Sequence, residues 1–133
     1  MKKKRLNIER ELLSSSSSII WNLISTPEGL SRWIADDVKL EGKDLTLTWK
    51  KPDGSEKTMQ AVVTHIHKNH SFRFRWVDDN DDNAFVELRM EKSDITNDHF
   101  LIITDFGTPD ELEQLKDLWE EDFYRLHQNT GLL

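Results

Sequence analysis

The sequence predicts an α+β fold, a curved antiparallel sheet wrapped on one long C-terminal helix, and three observations carry that expectation. Over residues 108–126, Leu112, Leu115, Trp119, Phe123 and Leu126 recur in steps of three and four, which places them on one stripe of a helix. From Asp36 to Phe106 the apolar period is two, broken by Gly, Pro, Asn and Asp turn signals, the pattern of strands with one apolar face. A helical stripe so rich in large side chains needs an apolar surface to lie on, and a sheet with one apolar face supplies it by curling around the helix.

The 133 residues are read as one domain, 1–133. Hydrophobic residues make up only 36% of the chain, but five Trp and six Phe each bring a large area to bury. The absence of Cys excludes disulfides, thiol nucleophiles and Cys-ligated zinc, and fits a reducing compartment. A formal charge of −7 argues against nucleic acid as a partner, since phosphate binding needs a basic face. No apolar run approaches the ~20 residues of a membrane span. The basic residues Lys2 to Arg5 are followed by Leu6-Asn7-Ile8-Glu9 where a signal peptide would need a continuous apolar region, so the expected location is cytoplasmic.

Taken in order, Leu6, Ile8 and Leu12 share one parity, with Arg10 the polar exception, which predicts a strand over residues 3–13. The run Ser14 to Ser18 predicts a turn and an N-cap, one serine oxygen accepting an orphan N–H of a short helix over residues 17–25. Thr26-Pro27 restarts the chain as a second short helix carrying Leu30, Trp33 and Ile34. Val38 and Leu40, then Leu45, Leu47 and Trp49, alternate around the turn Gly42-Lys43-Asp44. Pro52-Asp53-Gly54 signals a hairpin into a strand over residues 56–68, which turns at Lys68-Asn69-His70. Phe72, Phe74 and Trp76 line one face of the next strand, opposite Arg73 and Arg75. Residues 85–91 and 100–106 are the last two strands. Gly107 ends the sheet, and Thr108, Pro109 and Glu111 have the spacing of a capping box with proline at the first helical position. The sum is one strand, two short helices, about six further antiparallel strands and a long helix.

The run Ile20-Trp21-Asn22-Leu23-Ile24-Ser25-Thr26-Pro27-Glu28-Gly29-Leu30-Ser31-Arg32-Trp33 resembles the helix–break–helix of START-like domains. The branch it resembles is that of homologues of the activator of the heat-shock chaperone ATPase, within the birch-pollen-allergen (SRPBCC) superfamily. The hairpin Lys51-Pro52-Asp53-Gly54, the strand Phe72 to Trp76 and the strand–Gly–helix end from Ile102 to Trp119 are similar as well. The resemblance implies the helix-grip fold, a seven-stranded antiparallel sheet gripping the C-terminal helix with a cavity between them. Members bind hydrophobic small molecules, serve as regulatory or interaction modules, or in a few branches catalyse. No shared catalytic motif can be carried over, and the expectation here is a non-enzymatic protein without a cofactor.

If sheet and helix face each other, the cavity lining is expected from Trp49, Phe74, Trp76, Leu88, Ile102, Trp119 and Phe123, because large flat side chains on two curved surfaces leave apolar gaps. The same residues could instead fill the space completely. His65 and His67 share one strand face with His70 beyond the turn, but Val62, Thr64 and Ile66 are expected to face the core, which points the histidines outward and argues against a metal site. The run Asp78 to Asn83 fails the EF-hand template, with Asn83 where Gly and Arg89 where Glu should stand, and reads as a hairpin turn. Asp105 and Asp122 are the acids expected nearest the apolar elements, hence the first candidates for perturbed titration. Arg10, if inward, requires a carboxylate partner at the sheet margin. The acidic face of the helix, with Glu113, Asp117 and Glu120, and the pair Arg73 and Arg75 offer a protein partner, and an exposed sheet edge would allow a homodimer.

Overall fold

The structure, a computed structural model, describes residues 2–13 and 16–132. Ser14 and Ser15 of the expected serine turn, and both terminal residues of the expected domain, lie outside the described residues. The elements run β1 (Lys4–Leu12), α1 (Ser17–Ser25), α2 (Pro27–Leu30), β2 (Asp37–Glu41), β3 (Asp44–Lys50), β4 (Glu56–His67), β5 (Ser71–Trp76), β6 (Val86–Lys92), β7 (His99–Gly107) and α3 (Leu112–Thr130). The seven strands form one sheet in the order β1-β7-β6-β5-β4-β3-β2, every pairing antiparallel. Strands β2 to β7 are a meander, and β1 returns to pair with β7 from Lys4↔Gly107 to Leu12↔His99. The helix-grip α+β fold follows: α3 lies on the inner face of the sheet, packed on β1 and β7.

One face of each strand supplies the core. Ile8 and Leu12, Leu45 and Leu47, Phe72 and Phe74, Val86 and Leu88, Leu101 and Ile103 are all buried there, and Trp119, Phe123 and Leu126 of α3 close over them. The two short helices form a wedge at one end. Ser16 Oγ accepts the Ile19 N–H at 3.3 Å and Thr26 Oγ1 accepts the Gly29 N–H at 2.9 Å, so both expected caps exist. Trp33 is buried, donates its indole N–H to the Leu23 carbonyl at 3.0 Å, and stacks on Phe123 with centroids 6.0 Å apart. Gly29 permits the bend: a Cβ there would stand 2.0 Å from the Asn22 carbonyl oxygen, so α1 and α2 touch backbone to backbone.

Two expectations are corrected. In β4 the buried residues are Ala61 and Val63, while Val62 is 37% exposed and pairs with Arg75 on the outer face. A bulge between Val63 and His65 then shifts the register, so Ile66 pairs with inward-facing Phe72 but is 61% exposed where the strand overruns its cover. The period-two reading assumed an unbroken ladder, and one extra residue reverses which side chains face in. In α3 the helix begins at Leu112 rather than 108 and continues to Thr130. The Glu111 carboxylate does reach back to the Thr108 N–H at 3.0 Å, but the Thr108 hydroxyl donates to that same carboxylate at 2.6 Å instead of capping a backbone N–H. Residues 109–111 therefore form a turn, and Gly131, left-handed at φ 69°, stops the helix.

Candidate functional site

The helix seats closely on β1 and β7, and the curling sheet leaves a half-open chamber of about 610 Å³ between α3 and strands β3 to β7. The sheet wall carries Trp49, Met59, Phe74, Trp76 and Val86, and the helix wall Leu115, Leu118 and Trp119. Ile34, from the turn after α2, closes one side. The aromatic wall is ordered by ring contacts, Phe74 edge-on to Trp76 at 5.3 Å and Trp49 tilted against Trp76 at 6.4 Å between centroids. Trp49 is anchored by its indole N–H, which donates to the Ile34 carbonyl at 2.9 Å.

Of the seven residues expected to line the cavity, Trp49, Phe74, Trp76 and Trp119 do so. Leu88 and Phe123 are buried in the solid part of the core, where Phe123 meets Trp33. Ile102 is a correction: it pairs with Glu9 and Arg89 on the outer face, opposite in parity to the inward Leu101 and Ile103. Every residue from Phe100 to Ile103 is apolar, so hydrophobicity could not reveal the parity of β7; the alternation of its partners in β1 did. Met59 was missed because the reading of β4 placed the other parity inward.

Four carboxyls line the chamber together with Lys3, Lys57 and Arg125; Glu111 and Glu121 are exposed, whereas Asp105 and Asp122 are not. Asp105 follows Ile103 on the inward side of β7 and is only 7% exposed. Its Oδ2 accepts the Trp119 indole N–H at 2.8 Å, and its Oδ1 accepts the Phe106 backbone N–H at 2.7 Å. Burial pushes its pKa up to about 6 against the pull of those hydrogen bonds. Asp122, one turn beyond Trp119, is bound by Arg125, yet burial still raises its pKa to about 7. Arg125 also reaches the Ile34 carbonyl at 3.4 Å and so ties α3 to the turn after α2.

The remaining candidates have structural employment. Arg10 points inward, pairs with Glu120 and lies over the Phe123 ring at 5.1 Å, an ion pair at the sheet margin. Arg73 binds Glu87 at 2.7 Å on the outer face, and Arg75 donates to the carbonyls of Asp81, Asp82 and Ala84. The acidic turn fastens the N-terminus: Asp79 binds the Lys3 ammonium at 2.9 Å and Asp81 accepts the Lys3 backbone N–H at 3.1 Å. His65 and His67 are exposed, and among the described residues no three His, Cys, Asp or Glu side chains are grouped to hold a metal. No described helix is long and apolar enough to cross a membrane.

The family model of the START-like superfamily domain matches residues 1–132. The chain belongs to the START-like superfamily. Among solved structures, this START-like domain is similar to a Bacteroides fragilis protein determined in solution, with 36% identity, 100% of this chain and 95% of that one covered, and a TM-score of 0.63. It shares its fold with the Aha1 dimer of Colwellia psychrerythraea, at 16% identity, 96% and 98% coverage and a TM-score of 0.70. A Nitrosomonas europaea protein shares the fold at 11% identity, 96% and 94% coverage and a TM-score of 0.72. No curated protein matches the sequence.

Proposed function

We propose that this START-like domain binds a hydrophobic small molecule, lipid-like or aromatic, in the chamber between sheet and α3, and does so without catalysing a reaction. The supporting observation is the chamber of about 610 Å³ walled by Trp49, Phe74, Trp76 and Trp119. Ligand sites are typically apolar clefts of roughly 300–1,000 Å³ with a few convergent polar groups. The described lining includes no Ser, Thr, His or Cys to act as a nucleophile beside its four acids, which favours binding over hydrolysis. The test is uptake of the neutral fluorophore N-phenyl-1-naphthylamine. Saturable one-to-one uptake, lost when Met59→Trp fills the chamber, is expected; no uptake by the wild type overturns the reading.

A protein-contact role is the second reading. It is favoured by the outer side of α3, where Tyr124 is 64% exposed beside Glu113 and Asp117. The arginines expected to share this role are engaged within the fold, which narrows the surface to the helix. A homodimer, expected at a sheet edge such as β2, would appear as a concentration-dependent mass in sedimentation equilibrium; a monomer at all concentrations removes the dimer.

A further inference from the structure

We propose that the chamber selects an amphiphile with a protonated amine head, seated on the Asp105 carboxylate with its apolar tail along Trp49, Phe74 and Trp76. The inference rests on the ligand-binding reading above and specifies the chemistry of the head group.

The reason lies in the charges that meet at Asp105. Its two oxygens accept one hydrogen bond each, both from neutral donors, the Trp119 indole and a backbone N–H. A carboxylate has about four acceptor positions, so each oxygen retains capacity for a further donor. Among the described residues no cation is hydrogen-bonded to it. Lys3 acts on it through space, but the Lys3 ammonium is bound to Asp79 at 2.9 Å, and Asp79 opposes the effect with its own charge. Asp122, the other unexposed acid in the wall, already has Arg125. Asp105 is therefore the lining carboxyl with burial, open acceptor positions and no hydrogen-bonded cation.

A buried carboxylate in an apolar space is unfavourable unless a cation pairs with it. A carboxylate-headed lipid would bring a second negative charge beside it, in a lining whose four acids outnumber its three cations, Lys3, Lys57 and Arg125. An alcohol would donate a hydrogen bond and leave the charge uncompensated. An ammonium supplies both donors and charge, and the indole of Trp119 holds the carboxylate in place to receive it.

Displacement of N-phenyl-1-naphthylamine by octylamine, octanol and octanoate at pH 7.5 tests this with matched tails. Octylamine is expected to compete at concentrations about tenfold below octanol, the usual gain of a charge-assisted over a neutral hydrogen bond, with octanoate weakest. In Asp105→Asn, whose amide oxygen can still accept from Trp119, the amine-to-alcohol ratio should fall to within about twofold; the ratio is read within one variant, so a change in fluorophore affinity cancels. Carboxyl ¹³C NMR of the wild type provides a measurement independent of any variant: octylamine should lower the Asp105 pKa and octanol should not. Fluorophore uptake with equal amine and alcohol affinity, or an amine advantage that survives Asp105→Asn, overturns the head-group assignment and leaves the chamber intact. No fluorophore uptake overturns the chamber itself.

Discussion

The indole N–H of Trp119 donates to Asp105 Oδ2 at 2.8 Å, across the seam between α3 and β7. The bond joins the middle of the helix stripe to a carboxyl on the inner face of the sheet, at the point where solid core gives way to open chamber. It latches the helix and also aims the carboxyl.

Removing the donor should register on both partners. Trp119→Phe keeps an aromatic ring in the wall but leaves Asp105 with the Phe106 N–H as its remaining donor. We expect a loss of about 1–3 kcal/mol in urea unfolding at neutral pH, the cost of leaving a buried acceptor short of a partner. The Asp105 pKa, followed by carboxyl ¹³C NMR, should rise above about 6. An unchanged pKa would mean the indole does not govern the carboxyl.

The pH dependence of stability follows from the same residue. The folded pKa of Asp105, about 6, lies above its ordinary value of 3.8, so the folded state holds the proton more tightly than the unfolded state. Its contribution is most favourable below the unfolded value and is lost as pH rises through the folded one. Asp122 acts in the same direction, with a folded pKa of about 7. Asp105→Asn should therefore gain on the wild type as pH rises, by on the order of 2 kcal/mol at pH 8 relative to pH 4, measured by urea unfolding. A difference that is flat with pH would contradict the buried ionisation.

The α1–α2 bend should tolerate no side chain at its glycine. Gly29→Ala places a methyl 2.0 Å from the Asn22 carbonyl oxygen, a backbone atom that cannot swing away. A loss of roughly 3 kcal/mol or more in thermal or urea unfolding is expected, in the range of severe overpacking. A wild-type melting temperature would show that the two helices separate easily.

The orientation of β7 can be checked by a pair of truncations. Leu88→Ala empties a fully buried site and should cost about 2–5 kcal/mol. Ile102→Ala, on the outer face, should cost about 1 kcal/mol or less and leave fluorophore uptake unchanged. Equal costs would restore Ile102 to the interior.

The element order was legible because each signal is local. The serine and threonine caps, the Asn69 and Gly54 turns and the helix stripe of Leu115, Trp119, Phe123 and Leu126 depend on residues a few positions apart. The same holds for the suspicion that fell on Asp105 and Asp122, whose neighbours in the chain already place them on apolar elements. The β4 face was misread because a bulge leaves no mark in a pattern of hydrophobicity. The role of Ile102 was misread because a run of apolar residues alternates invisibly.

Composition and periodicity thus dictated the existence of a sheet, a long helix and an apolar face on each. They did not decide whether those faces meet everywhere or leave a space. That outcome depends on how far the sheet curls, on which side of β4 faces inward after the bulge, and on Trp119 meeting Asp105 from another element. Such contacts join residues whose separation in the chain carries no information about their separation in space, so the chamber and its buried carboxyl arise only when the chain is folded.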